Sequence, residues 1–369
     1  MLKKFLFAVV LLGFFTGCSK NNPGGDFPTM PDATVKALDE IVLNEMHDQN
    51  LPGVLVGIWV PGEGDYVKAF GSANLETGTH REVTEQFRIA SITKTFTGLR
   101  ILELYDEGKL DLDDSLTKYF PRFPHANTIT IRNLLNMNSG IKDYADDEFL
   151  YKWYHAPLMP FSMETAMLAS AGDSTEFYPA GDSVIYCNVN YSILGLIIEQ
   201  VTGNTIGEEI TENIIKPLGM SHTIYPEDPE LPGNVIGYSY NEKTMEFEDK
   251  TVLNPEVPNA AGAIISDMFD LKRFARALYK GELISEKTHQ EQIKTLQMHD
   301  APEWVRYGLG IMDLGGFYGH NGTIFGFSTE MFYLPEKDAV IIINVNRLDL
   351  DDKSKSGPLF GKIAKYLFP

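Results

Sequence analysis

The sequence predicts an α/β (α+β) fold in which one antiparallel sheet is built from both chain ends and flanked by helices, with a mainly helical subdomain inserted between. Three observations carry this reading. Strand-like apolar runs lie near the two ends: Val54–Val60 and Tyr66–Ala73 early, Tyr307–Leu314, Ser328–Leu334 and Ala339–Asn346 late. The residues between them show helical spacing and no persistent strand pattern. Amphipathic stretches, Val35–Met46 and Leu359–Leu367, close the ends and supply helices to cover the sheet. The sheet part is expected at residues 31–86 and 262–369 and the helical part at 87–261, with a cleft where they meet.

At the start of the chain, Lys3 and Lys4 precede the apolar run Phe5–Phe15, which reads as a secretory signal too short to span a bilayer. It ends Phe15-Thr16-Gly17-Cys18, which resembles a bacterial lipoprotein cleavage box and implies that Cys18 is lipidated. Residues 1–18 are therefore expected to be signal and anchor, 19–30 a flexible tether rich in Asn, Pro and Gly, and 31–369 the globular domain. The expected location is the bacterial cell envelope, lipid-anchored and facing the periplasm or the exterior. Cys187 is then left without a disulfide partner.

In the domain, Pro61-Gly62-Glu63-Gly64-Asp65 turns the first strand back into the second. Ser91 opens a long, mostly buried helix, since Ile92, Phe96, Leu99 and Leu102 recur at helical spacing and Ile101 and Leu104 widen the stripe. Gly108 supplies its stop. Short helices follow at Ile131–Met137, Met163–Ala171, Asn190–Val201 and Ile206–Leu218, interrupted by a loop from Gly181 to Asn190. Ser266 is placed to cap a helix running through Leu278. Pro335-Glu336-Lys337-Asp338 joins the last two strands as a hairpin turn.

A chain of 369 residues with 43% hydrophobic content can bury one large core or two closely packed subdomains. Its formal charge of -20 argues against nucleic acid and against a basic grip on anionic lipid. Cys18 and Cys187 are the only cysteines and no His pair has ligand spacing on an evident helix, so neither a metal nor another cofactor is expected.

Three Ser-x-x-Lys segments occur, Ser91/Lys94, Ser115/Lys118 and Ser139/Lys142, where about one or two would arise by chance. Only Ser91 leads into a buried helix. Ser115 lies in a polar run cut short by Pro121 and Pro124, and Ser139 precedes the helix stop Gly140. At the start of the Ser91 helix the dipole is positive, and Lys94 lies on the same face as the Ser91 hydroxyl. A lysine there opposes the dipole and loses hydration, so it needs a partner or a chemical role. Tyr186 and Asn188 lie two apart in an expected loop, so in extended backbone their side chains point the same way and Cys187 the other; a ring packed beside a turn residue is the plainer alternative. Gly319-His320-Asn321-Gly322-Thr323 lies between two strands and reads equally as a hairpin turn or a binding segment.

In this order, the three pieces resemble the serine β-lactamase and penicillin-binding superfamily, in the branch of class C β-lactamases, D-Ala-D-Ala carboxypeptidases and β-lactamase-like carboxylesterases. The resemblance covers about Ala33 to Pro369, with further family-like phrases at Asn133–Gly140, Asn259–Ala277 and Gly308-Leu309-Gly310. It implies a β-lactamase/transpeptidase-like fold, Ser91 as the acylated nucleophile and Lys94 as its proton acceptor. It further implies Tyr186 in proton transfer to the leaving group, Asn188 orienting Lys94 and the substrate, and His320, Asn321, Gly322 and Thr323 on the substrate and oxyanion side. Whether Lys94 or a tyrosinate acts as base is left open. Class C enzymes typically carry Lys-Thr-Gly where this chain has His320-Asn321-Gly322, so a fixed cation is replaced by a mostly neutral ring unless the site raises its pKa. A rival Lys355-Ser356-Gly357 follows a polar run and reads as linker.

The expected function is a serine hydrolase acting through an acyl-Ser91 intermediate on D-Ala-D-Ala peptides or related D-amino-acid amides. Alternatives are an esterase on small acyl esters, a β-lactamase, or a non-catalytic envelope binding protein. The expected substrate is a small molecule or peptide: a peptidoglycan-type peptide, a β-lactam or an ester.

Overall fold

Continuous apolar runs become the centre of the sheet, because a strand buried on both faces needs no polar alternation. A computed structural model describes residues 28–171, 179–350 and 353–369. The expected signal, Cys18 and nearly all of the tether lie outside the described residues. Residues 28–30 already belong to the fold, since Met30 is buried and Asp65 N–H donates to Pro28 O at 2.8 Å.

Helix α1 (Asp32–Asp48) leads into strands β1 (Gly53–Val60) and β2 (Gly64–Asn74). Near the other end come β3 (Phe317–Ile324), β4 (Phe327–Leu334) and β5 (Ala339–Val345). The sheet has nine strands, all paired antiparallel, in the order Thr79–His80, β2, β1, β5, β4, β3, Met312–Leu314, Val305–Tyr307, Leu296–Gln297. The two chain ends meet where β1 pairs with β5 from Val54↔Val345 to Trp59↔Val340. The mixed architecture, with its large antiparallel sheet flanked by helices, is the one the sequence predicts.

Between the sheet ends lie helices α2 (Thr93–Asp106), α3 (Asn188–Thr202) and α4 (Met268–Lys280); α5 (Gly357–Leu367) ends the fold. Trp59 pairs with Val340 and Phe332 with Ile341, so alternation puts the two rings on opposite faces of the sheet. Phe269 of α4 meets Trp59 edge-on at 6.2 Å, and Phe274 one turn on stacks on Phe96 of α2 at 3.7 Å, so α4 bridges the sheet and α2. On the other face, Phe360 of α5 packs against Phe332 at 4.9 Å, and Lys362 pairs with Glu45 of α1.

Several expectations need correction. Gly319–Thr323 is no turn: it lies inside β3, and the hairpin that follows is made at Phe325-Gly326, where Gly326 has φ +87°. The Tyr307–Leu314 run is two strands, broken at Gly310 with φ +75°, because a Cβ there would lie 3.1 Å from Gly98 Cα of α2. The cap of α4 is Asp267, not Ser266: its carboxylate accepts from Phe269 N and Asp270 N, while Ser266 bonds Thr223. The helical region does contain strands, a hairpin of Tyr238–Asn241 with Glu246–Asp249. Lys355-Ser356-Gly357 is a helix start rather than linker, with Ser356 buried and bonded to Ser328 and Glu330 of β4.

Candidate active site

Ser91 sits in a 3-10 turn, Ala90–Ile92, directly before α2 rather than inside its first α-helical turn. Ala90 takes φ +49°, a left-handed conformation that costs a residue with a Cβ about 1–2 kcal/mol and must be held by its surroundings. The neighbour that holds it is Gly322 of β3, where a Cβ would fall 2.2 Å from Ile89 O, 3.0 Å from Ser91 N and 3.1 Å from Ala90 Cβ. No side chain fits between them, so only glycine lets the strand lie against the serine turn. β3 pairs with Met312–Leu314 only through Phe317–Gly319, which leaves His320–Ile324 as an open edge toward this turn.

Lys94 is completely buried and makes three contacts: Ser91 Oγ at 2.9 Å, Asn188 Oδ1 at 2.8 Å and Ala261 O at 2.9 Å. Burial pulls its pKa from the usual lysine range down to about 7, against the opposing charge of Asp143. A neutral amine has two hydrogens and one lone pair. Asn188 Oδ1 and Ala261 O accept only, so together they take both hydrogens and leave the lone pair facing the Ser91 hydroxyl. That arrangement can draw a proton from the serine.

Each acceptor is fixed in turn. Ala261 belongs to the short helix Asn259–Gly262, tied to α2 by Thr97 Oγ1 donating to Ala260 O at 2.7 Å. Asn188 opens α3, and its orientation is set by Asp143, whose Oδ2 accepts from Asn188 N at 2.7 Å and from Asn188 Nδ2 at 2.8 Å. With its amide nitrogen so occupied, Asn188 must present oxygen to Lys94. Asp143 Oδ1 also accepts from Val189 N at 3.3 Å, so this carboxylate caps α3 as well. Asp143 was not read from the sequence. It lies just beyond the Asn133–Gly140 phrase, far in sequence from the residues it holds.

Cys187 is extended and buried, as alternation predicts, and Tyr186 is half-buried on the other side with its ring centroid 4.8 Å from Lys94 Nζ. The phenol ring therefore converges from a separate segment on the serine and amine of the Ser91–Lys94 turn. The plainer reading of Tyr186-Cys187-Asn188 as a packed ring beside a turn is set aside by the Asn188–Lys94 bond. Of the other Ser-x-x-Lys segments, Ser115 caps a 3-10 turn and Lys118 pairs with Asp114, while Ser139 donates to Asn190 Oδ1 at 2.7 Å.

The third segment divides. Thr323 lines a cavity of about 120 Å³ together with Ser91, Tyr186 and Asn188, but His320, Asn321 and Gly322 do not line it. His320 is fully buried, with Nε2 3.1 Å from the Tyr307 hydroxyl and Nδ1 on Asn321 O. Burial and then the Lys94 charge push its pKa down to about 3, so the ring is neutral. The cavity walls are Tyr144, Phe149, Leu150, Trp153, Ile324 and Phe325. Phe149 and Trp153 come from a helix, Asp147–His155; Tyr151 of the same helix is exposed and Tyr154 is buried against Ser239 and Glu248.

Among the described residues one group has metal-ligand proximity, His222, Asp267 and Asp270. Its carboxylates already have protein donors: Asp267 accepts from His222 Nδ1 and from the start of α4, and Asp270 Oδ2 accepts from His222 N and Thr223 Oγ1.

The sequence matches the family model described as Beta-lactamase over residues 38–361. The chain belongs to the Beta-lactamase family. Among its relatives, Penicillin-binding protein 4* of Bacillus subtilis (strain 168) is 27% identical over 303 residues, which are 78% of this chain and 66% of that protein. Among solved structures, a D-stereospecific amidohydrolase from Streptomyces sp. superposes with a TM-score of 0.78 at 29% identity, covering 92% of this chain and 99% of the other. D-amino acid amidase from Ochrobactrum anthropi SV3 superposes with a TM-score of 0.79 at 23% identity, covering 91% and 99%, and shows the fold. The chain shares its fold with that amidohydrolase and with a penicillin binding protein from Bacillus halodurans.

Proposed function

We propose that this protein is a serine hydrolase that acts through an acyl-Ser91 intermediate on D-amino-acid peptides or amides. The observation that carries the reading is the buried Lys94 amine, held by two acceptors with its third position on the Ser91 hydroxyl. The likeness to the Streptomyces D-stereospecific amidohydrolase supports the substrate class. In the first step Ser91 Oγ adds to the substrate carbonyl as its proton passes to neutral Lys94. The carbon–nitrogen bond then breaks, and the leaving amine takes a proton from the Lys94 ammonium or through the Tyr186 hydroxyl. Water adds to the acyl-serine, giving the acid and restoring the serine. The oxyanion is assigned to the backbone N–H groups of Ser91 and Thr323, each such donor contributing about 3 kcal/mol to the transition state. Tyr186 as the base, in place of Lys94, is the competing assignment, and both use the same ring position over the amine.

Turnover of D-phenylalanine p-nitroanilide, with mass detection of an acyl adduct that disappears in Ser91→Ala, tests the proposal. A folded wild-type protein that forms no adduct with this substrate, a small ester or a fluorescent penicillin overturns it. We further propose a lipid anchor at Cys18 and an envelope location, supported by the basic, apolar, cysteine-ended order of residues 3–18. Labelling with a clickable fatty acid that Cys18→Ala abolishes is the expected result; a soluble, unlabelled product overturns it.

A further inference from the structure

We propose, resting on the acyl-serine reading, that the cleft selects substrates that bring no carboxylate into it: apolar D-amino-acid amides and esters rather than peptides ending in a free D-residue carboxylate. The cavity in front of Ser91 is walled by Tyr144, Phe149, Trp153 and Phe325, which suit an apolar or aromatic side chain. Among the described residues no lysine, arginine or histidine lines it.

The basic residues on adjoining segments are committed elsewhere. Arg347 precedes the wall residue Leu348, but its guanidinium pairs with Asp349 and donates to Gln49 O and Asn50 O. Lys250 pairs with Glu248 at 3.1 Å and lies over the Tyr154 ring at 3.7 Å. Lys152 is exposed and bonded to Glu148, and Lys142 is exposed and does not line the cavity. His320, at the position where a cation would be expected by resemblance, is enclosed by Tyr186 and Tyr307 and neutral. Asp143, behind Asn188, adds a negative charge near the floor. A substrate carboxylate entering this space would lose water and gain no cation from the lining in return, since Lys94 does not line the cavity and is neutral when it accepts the Ser91 proton, whereas a carboxamide or ester loses far less.

A matched pair isolates the charge: D-phenylalanyl-D-alanine and D-phenylalanyl-D-alaninamide share the scissile bond and both side chains. Release of D-phenylalanine from each is followed by mass spectrometry, and kcat/KM for the amide is expected to exceed that for the free acid at least 10-fold. Leu348→Arg, which sets a cation at the wall, should narrow the ratio by raising the rate on the acid alone. Equal rates, or a preference for the acid, overturn the inference and leave the hydrolase reading standing. Turnover of neither substrate, with no acyl-Ser91 adduct, overturns that reading and this inference with it.

Discussion

Replacing Asp143 with asparagine probes how the amine beside Ser91 is held. Asp143 accepts three N–H bonds, from Asn188 N at 2.7 Å, Asn188 Nδ2 at 2.8 Å and Val189 N at 3.3 Å, and its charge opposes the fall in the Lys94 pKa. Asparagine offers one oxygen and turns an NH2 toward a donor, so at least one of these bonds is lost. A hydrogen bond to a charged group contributes about 1.5–3 kcal/mol. If that loss loosens Asn188 on Lys94, kcat/KM falls about 10- to 100-fold, at about 1.4 kcal/mol per tenfold. The sign of the pH effect follows separately. Reaction needs neutral Lys94, whose pKa burial brings down to about 7, so the wild-type acid limb should lie near pH 7. Removing a negative charge makes protonation of the amine harder, so the limb should move to lower pH in D143N. The assay is kcat/KM on a neutral ester from pH 5 to 9, with circular dichroism to confirm folding. A loss of rate with the acid limb unmoved, or moved to higher pH, refutes the reasoning and leaves Asp143 a helix cap only.

Three other perturbations have defined outcomes. Gly322→Ala should abolish acylation by at least about 100-fold and destabilise the fold by about 1–3 kcal/mol, because the new Cβ meets Ile89 O at 2.2 Å; titration with an active-site acylating agent and thermal melting read the two effects. Lys94→Met should remove acylation while leaving the melting temperature unchanged or higher, most visibly below pH 7, since it replaces an amine that burial disfavours in its charged form; a large drop in melting temperature contradicts the burial argument. Glu330 is fully buried with, among the described residues, Ser354 and Ser356 donating to its carboxyl, and burial raises its pKa to about 7. Its folded pKa lies above the unfolded value, so its contribution is present below about pH 4.5 and is lost as pH rises through about 7. Glu330→Gln should flatten the pH dependence of stability between pH 5 and 8, and an unchanged slope refutes the assignment.

Much of the fold was legible because burial writes itself into the pattern. Gly53–Val60 is apolar throughout and Ala339–Val345 is apolar at every position but Asn344, and the two lie buried side by side at the sheet centre. The Ser91 helix was legible because α2 is buried from Thr93 to Leu104, and its end because Gly108 has φ +71°. Local rules failed where a distant partner outweighed them. Asn321-Gly322 has the composition of a tight turn, yet Gly322 is needed for contact with Ser91 and not for a bend. Ser266 and Asp267 are both good caps, and the choice went to Asp267 while Ser266 bonds Thr223, 43 residues away.

At the site, residue types and order were readable, because a serine needs a base and the Ser-x-x-Lys spacing on a helix brings one within reach. The sequence alone determined that Ser91 and Lys94 share a face and that Tyr186 and Cys187 point opposite ways, since both are consequences of backbone periodicity. Only the tertiary structure decided that Asp143 turns Asn188, that Ala261 O takes the second amine hydrogen, and that His320 is sealed in and neutral. Proton affinity and amide orientation depend on which groups surround an atom in space. Those neighbours come from segments whose separation along the chain carries no record of their contact.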